Sequence, residues 1–125
     1  MAAIPAEVST AWENRKGPVV LTTVDADGNP NAIYATCVSK FSEEIILVAD
    51  NYFSKTLENI LAGSMGSILF ITKDTDSYQI KGSIAYHKDG ELFDNMKTWN
   101  PKKHPGRAAA ALKVEEVYKG AERLL

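Results

Sequence analysis

The sequence has few of the residues that build disulfides or metal centres. Cys37 is the single cysteine among 125 residues, and there are two histidines, His87 and His104. One thiol cannot form an internal disulfide, and neither histidine has a companion ligand at a metal-binding spacing. We therefore predict no disulfide and no metal site. Such sparing use of cysteine is typical of proteins of the cytoplasm, where we expect this one.

Long apolar runs and charge of one sign are also missing. Nowhere do about 18 apolar residues follow one another, as a membrane-spanning helix requires, and residues 1–9 lack the pattern of a signal peptide. The net charge is -2, with 14 Lys and Arg mixed among 16 Asp and Glu. No basic stripe is present that would neutralise nucleic-acid phosphates. We expect neither a membrane nor a nucleic acid as a partner.

The composition that remains is that of a folded globular chain. Apolar residues make up 45% and charged residues 24%, which lies within the range of ordinary globular proteins. The length fits about one domain. We predict a single domain over residues 1–125.

In most of the chain, apolar segments typical of β-strands are separated by turn residues. Gly28 supplies the positive φ that the first turn needs, and the first three strands are predicted to form a meander. Gly82 predicts a bulge or a close backbone approach in a later strand. The predicted strands are 18–24, 31–40, 45–49, 67–73 and 77–87.

Three segments show the spacing of a helix. Two are residues 5–14 and 91–99, and the third is a helix of one or two turns that Ser54 is placed to cap. The segment 107–117 is ambiguous, because four consecutive alanines favour a helix while the residues after them fit either period. The pattern indicates a mainly β protein with short helices, built as an antiparallel barrel or sandwich.

Four short motifs recur in this order and spacing in one family. They are Ser54-Lys55-Thr56 at a helix start, Ile80-Lys81-Gly82-Ser83 in a hairpin, and His104-Pro105-Gly106 followed by Val114-Glu115-Glu116-Val117-Tyr118. From about residue 8 to 120 the chain resembles the FMN-binding split-barrel flavoproteins of the pyridoxamine 5'-phosphate oxidase-like family, above all their shortest members. The resemblance implies a six-stranded antiparallel split β-barrel. It also makes 107–118 a barrel strand, against the helix propensity of the alanines.

The resemblance implies FMN as the cofactor. An FMN phosphate would lie at Ser54, Lys55 and Thr56, where a helix start offers free N–H groups and a lysine adds charge, with Asn59 one turn later on the same face. A plain helix cap and a solvated lysine are the alternative interpretation. The family lays the flavin ring along two strands that here correspond to Ala35, Thr36 and Cys37 and to Val48, Ala49 and Asp50.

Aromatic residues have two interpretations each. Tyr52 and Phe53 would wall the ribityl chain, and Trp99 or Tyr118 would cover the ring from a neighbouring chain, but packing in the core accounts for them equally well. Cys37 is more simply a small buried hydrophobe than a catalyst. We assign no catalytic side chain.

By resemblance, the protein is a homodimer with FMN at its interface and an oxidoreductase that passes electrons to or from a small acceptor, with NAD(P)H or a ferredoxin-like protein as donor. Authentic pyridoxamine phosphate oxidases are longer and have an arginine-rich substrate site. This chain has three arginines, Arg15, Arg107 and Arg123, so vitamin B6 oxidation is not expected. Two alternatives stay open: a non-enzymatic FMN electron-transfer module, and a split barrel that binds another ligand, such as haem or a deazaflavin.

Overall fold

The computed structural model describes residues 2–125. Three short helices are inserted among eight strands, which confirms a mainly β protein. In chain order the elements are α1 (Ala6–Glu13), β1 (Val19–Val24), β2 (Pro30–Ala35), β3 (Val38–Ser42), β4 (Ile45–Asp50), α2 (Lys55–Leu61), β5 (Met65–Ile71), β6 (Ser77–His87), α3 (Gly90–Trp99), β7 (Ala108–Lys119) and β8 (Glu122–Arg123). None of these helices has the length and apolar composition of a membrane span.

All eight strands belong to one antiparallel sheet. Its order is β2-β1-β5-β6-β7-β4-β3, with β8 beside β7. β2 and β3 therefore stand at opposite ends of the sheet, although only Thr36 and Cys37 separate them in sequence. The three Cα–Cα steps from Ala35 to Val38 span at most about 11 Å. The sheet must curl until its ends approach each other, which gives the predicted split barrel.

The strand count and one pairing differ from the sequence prediction. Residues 31–40 form two strands instead of one, and β8 folds back on the end of β7, so there are eight strands and not six. The predicted meander is wrong, because β2 pairs with β1 alone while β3 pairs with β4 at the far end. The β-propensity of 31–40 gave no sign of the break at Thr36 and Cys37.

β7 is the strand that the alanines left ambiguous, and the strand prediction is confirmed. It pairs with β4 on one side and β6 on the other, and its four alanines are all buried. Small side chains fit here because both faces of the strand are covered. Ala110 faces the barrel interior, whereas Ala109 and Ala111 pack under α3.

Two apolar clusters hold the elements together. The larger fills the barrel and extends to α1, where Trp12 meets Phe70 edge to face at 5.2 Å. The smaller lies between α3 and the opposite face of β4 and β7, around Met96 and Leu47. Each fully buried large apolar side chain contributes about 1.5–3 kcal/mol. Because side chains alternate along β4, Val48 points into the barrel and Leu47 points toward α3.

Candidate functional site

A cavity of about 360 Å³ lies where the two ends of the sheet approach each other. This volume is within the range of small-molecule sites, about 300–1,000 Å³. Its walls come from β2, from the link to β3, from the end of β4, from the segment that leads into α2 and from one loop residue before β7. The lining residues are Asn31, Ile33, Tyr34, Ala35, Thr36, Cys37, Ala49, Asn51, Tyr52, Phe53, Ser54, Lys55, Thr56 and His104.

Most of the residues predicted from the sequence to bind a cofactor meet at this cavity. Those that line it are Ala35, Thr36, Cys37, Ala49, Ser54, Lys55 and Thr56. The other four, Val48, Asp50, Asn59 and Trp99, lie elsewhere. Residues 35–37 and 54–56 are brought together because the sheet curls, although about 20 residues of sequence separate them.

Lys55 is the cationic residue of the lining. Its side chain is 49% exposed, and its Nζ lies 3.7 Å from Asp25 Oδ2. Hydrogen bonds from the turn, above all from the Asn29 N–H, lower the pKa of the Asp25 carboxyl, so it stays charged beside the lysine. An exposed pair of this kind is worth little. The ammonium group therefore remains available to an anionic ligand.

Two hydroxyls flank the lysine. Thr56 is buried, and its Oγ1 accepts a hydrogen bond of 3.1 Å from Asn31 Nδ2, which leaves its own hydrogen free to donate. Ser54 stands at the N-terminus of α2, but its side chain makes no capping hydrogen bond, so that prediction is wrong. Its hydroxyl is thus not occupied by the helix.

Thr36 and Cys37, at the break between β2 and β3, both line the cavity. The Cys37 carbonyl accepts a 2.9 Å hydrogen bond from the Ala49 N–H. Within residues 2–125, the N–H groups of Thr36 and Cys37 donate to no other backbone group. Cys37 is half-buried, and because such N–H groups normally have partners, its N–H is suited to a ligand that carries acceptors, whereas the N–H of the exposed Thr36 is open to water or to a ligand.

Asp50 does not face the cavity but fixes the segment that borders it. Its carboxylate is fully buried and accepts hydrogen bonds from Phe53 N–H at 2.9 Å, from Arg107 Nη2 at 2.7 Å and from the Tyr86 hydroxyl. Arg107 also donates to the Phe53 carbonyl at 2.7 Å. The bond to Asp50 raises the pKa of Arg107, while burial, reinforced by Asp50, raises the pKa of Tyr86 to about 12.

A second set of contacts fixes the loop before β7 against the same segment. Asn51 and Asn100 exchange two hydrogen bonds of 3.0 and 2.9 Å, and the Gly106 N–H donates to Asn51 Oδ1 at 2.9 Å. The Tyr52 hydroxyl lies 3.1 Å from His104 Nδ1, with the two rings edge to face. His104, to which the sequence assigned no chemistry, is thereby placed at the cavity.

The remaining predicted residues have structural surroundings. Val48 is buried in the barrel, and Asn59 is buried, with its Nδ2 donating to Thr23 Oγ1 at 3.0 Å. Trp99 packs in the cluster under α3, and its Nε1 donates to Asn95 Oδ1 at 3.0 Å. Tyr118 donates to Glu116 and lines no part of the cavity, whereas Tyr52 and Phe53 do.

The cavity residues that the sequence did not single out are Asn31, Ile33, Tyr34, Asn51 and His104. Strand alternation places Asn31 and Ile33 on the same face of β2 as Ala35, so a strict period of two from Ala35 would have found both. Nothing in the local sequence points to Asn51, and His104 entered only as part of the motif His104-Pro105-Gly106, with no role at a site.

Comparisons with known proteins give one family model, one relative and several solved structures of the same fold. A family model described as pyridoxamine 5'-phosphate oxidase matches residues 4–120. An uncharacterized protein of Methanocaldococcus jannaschii is 33% identical over 106 residues, which are 80% of this chain and 70% of that protein. HupZ of Group A Streptococcus superposes with a TM-score of 0.80 at 21% identity, over 93% of each chain. An FMN-binding protein from Syntrophomonas wolfei subsp. wolfei superposes with a TM-score of 0.76 at 19% identity, over 88% of this chain and 81% of that one. These two solved structures share the fold.

Proposed function

Since this chain belongs to the pyridoxamine 5'-phosphate oxidase family, we propose that it binds FMN at the split of the barrel and works as an oxidoreductase that passes electrons through it. The observation that carries the proposal is one cavity whose walls combine Lys55, two hydroxyls, two N–H groups without backbone partners and an apolar lining. The FMN phosphate needs the positive charge and the hydroxyls. The polar edge of the flavin ring needs the N–H groups, and the face of the ring needs the apolar lining.

The phosphate of FMN fits the residues at the start of α2. A phosphate monoester carries about 1.5 to 2 negative charges at neutral pH. Lys55 supplies the opposite charge, and the hydroxyls of Ser54 and Thr56 supply donors. Asp25 does not prevent this, because its 3.7 Å pair with Lys55 is long and the lysine is half-exposed.

The ring system fits the apolar walls and the break between β2 and β3. Ile33, Ala35, Ala49 and Phe53 offer apolar surface to a flat ring, and the N–H groups of Thr36 and Cys37 offer donors to its polar edge. Bound FMN would supply the redox chemistry, accepting and releasing one or two electrons. The chain's own residues bind it, orient it and exclude water.

A second copy of the chain is proposed to close the cavity. Tyr34 lines the cavity and is 78% exposed. On the same outer face of the sheet it lies beside Val20, which in turn pairs with Leu69, so an apolar row runs from the cavity across three strands. Met65 and Ile71 extend the row along β5, and both are exposed. A patch of this kind marks an interaction surface.

The test is an absorption spectrum of the purified protein with and without added FMN, followed by a fluorescence titration that gives the Kd. Retained flavin bands are expected. The Lys55→Ala variant should raise the Kd about ten- to a hundredfold, since a charge-assisted hydrogen bond is lost. Lys73→Ala, which removes an exposed lysine outside the cavity, should leave the Kd unchanged.

Anaerobic titration with NADH and NADPH, then with small acceptors, separates the enzyme from a carrier. Turnover with any donor and acceptor pair supports the oxidoreductase, whereas tight FMN without turnover supports the non-enzymatic module. Failure to bind FMN, or a spectrum of haem or deazaflavin in its place, contradicts the central proposal and favours a different ligand.

A further inference from the structure

Tyr52 and His104 form a pair of titratable side chains in the lining of the cavity. The Tyr52 hydroxyl lies 3.1 Å from His104 Nδ1, and the two rings meet edge to face with their centroids 5.5 Å apart. One residue follows β4 and the other precedes β7, so that 52 positions of sequence separate them. The fold therefore brings the pair together at the cavity.

Packing in the core does not account for this pair. Tyr52 is 70% exposed and His104 is half-buried. Neither apolar cluster within residues 2–125 includes either of them. Two rings that are held by a hydrogen bond and an edge-to-face contact, yet add little to the core, are available to a ligand in the cavity.

The backbone next to each ring is anchored by a buried side chain. Asn51, directly before Tyr52, is buried and exchanges two hydrogen bonds with Asn100. Its Oδ1 also accepts from the Gly106 N–H, two residues after His104. Groups that act on a substrate need such support, because their reach to the reacting atom must be fixed beforehand. The pair is thus preorganised, although it lies near the surface.

A phenol beside an imidazole can pass a proton into the cavity. Histidine is the side chain that most readily takes up and releases a proton near neutral pH. With His104 protonated, its Nδ1–H donates to the Tyr52 oxygen, and the Tyr52 O–H is free to donate to a ligand. The other titratable side chains of the lining are Tyr34, Cys37 and Lys55, and the proposed function assigns Lys55 to the FMN phosphate.

We infer that Tyr52, supplied by His104, donates the proton to the carbonyl oxygen of a small acceptor, such as a quinone, that the flavin reduces. The inference rests on the proposed function. The acceptor takes a hydride, with both electrons, from the reduced flavin. The Tyr52 O–H bond breaks as its proton passes to the acceptor oxygen, and the His104 imidazolium restores it. Solvent then reprotonates His104, so the acceptor has gained two electrons and two protons.

The experiment follows reoxidation of the FMN-loaded protein in anaerobic stopped-flow. The flavin is first reduced by light, so that no electron donor has to be assumed. Duroquinone takes up protons with its electrons, and its fully substituted ring does not alkylate Cys37, whereas ferricyanide takes electrons alone. Tyr52→Phe should slow the duroquinone reaction at least about tenfold and leave the ferricyanide reaction within about twofold of the parent protein. Tyr118→Phe, which removes a hydroxyl outside the cavity, should match the parent with both acceptors.

His104→Gln tests the supply of the proton. The duroquinone rate of the parent protein should fall as the pH rises, because the imidazolium loses its proton, and His104→Gln should abolish this fall. An NMR titration of the histidine ring protons needs neither FMN nor turnover. The chain has two histidines, so His87 is the internal reference, and Tyr52→Phe should move the titration midpoint of His104 alone, since its hydrogen-bond partner is lost.

Three results would overturn the inference. They are equal duroquinone rates in Tyr52→Phe and the parent protein, equal slowing with both acceptors, and a His104 titration that does not respond to Tyr52→Phe. Failure to bind FMN would overturn the proposed function and the donor role together. It is read from the spectrum before any acceptor is added, so it is distinguished from a failure of the pair alone.

Discussion

At the scale of single residues, Asp50 fixes a segment that borders the cavity, although Asp50 does not line the cavity itself. Its buried carboxylate accepts from Phe53, Tyr86 and Arg107, so that it fixes the backbone segment leading to Lys55. We expect Asp50→Asn to destabilise the fold by about 1–3 kcal/mol, because hydrogen bonds to a charged group are lost while Arg107 remains half-exposed and can be solvated. The Kd for FMN should rise with it, since Lys55 and the Ser54 hydroxyl follow this segment.

Urea unfolding and FMN titration of the same samples test this role. Asp94→Asn is the matched control, because Asp94 is an exposed carboxylate on α3 away from the cavity. An unchanged Kd in a protein that is measurably less stable would show that Asp50 supports the fold alone and has no part in positioning the site.

Residue by residue, the sequence indicated which parts of the chain pass the cavity but not where each side chain points. Residues 35–37 and 54–56 mark where the chain passes, and the structure places all six at the cavity. Val48 and Asp50 lie on a strand buried on both faces, where no polar and apolar alternation tells inside from outside. Asn59 could not be placed, because its partner Thr23 is 36 residues away.

At the scale of elements, the bulge between β6 and β7 depends on Gly82. The register of this pair shifts between Lys81 and Gly82, as the glycine predicted. A Cβ built at Gly82 would lie 1.7 Å from the Lys113 carbonyl oxygen, which is backbone and cannot rotate away. Gly82→Ala should therefore separate the strands and cost about 3 kcal/mol, the upper end for overpacking.

Gly66 provides the comparison, because it pairs directly with Gly82 across β5 and β6. A Cβ at Gly66 would meet the tip of the Ile84 side chain at 2.3 Å, and that tip can change rotamer. Thermal or urea unfolding should show Gly66→Ala to be clearly the milder of the two. Equal losses of stability would mean that the close approach at Gly82 does not limit the pairing of β6 with β7.

Element order was predictable from sequence, but the pairing of elements was only partly so. Hairpins follow from turn residues, as for β1 with β2 and β5 with β6. The break at Thr36 and Cys37 carries neither glycine nor proline, so nothing local shows that the chain leaves one end of the sheet for the other. The prediction that β7 is a strand came from family resemblance. Its local sequence could not give this, because tertiary pairing on both sides overrides the helix propensity of alanine.

At the scale of the whole molecule, the apolar row of Tyr34, Val20 and Leu69 should decide whether the chain works alone or as a pair. Leu69 is 40% exposed on this outer face. In a two-fold dimer the same patch is buried on both copies, so a charge there is introduced twice. We expect Leu69→Asp to weaken the dimer at least about a hundredfold, since each desolvated carboxylate costs several kcal/mol.

Sedimentation measures this directly, with Ala121→Asp as the control because it places the same charge in the exposed turn after β7. The parent protein and the control should sediment at twice the mass of one chain, and Leu69→Asp at the mass of a single chain. Because Tyr34 borders both the cavity and the row, loss of the dimer should also raise the Kd for FMN. A parent protein that binds FMN tightly while sedimenting as a single chain would contradict the dimer and leave the cavity as a site that one copy completes.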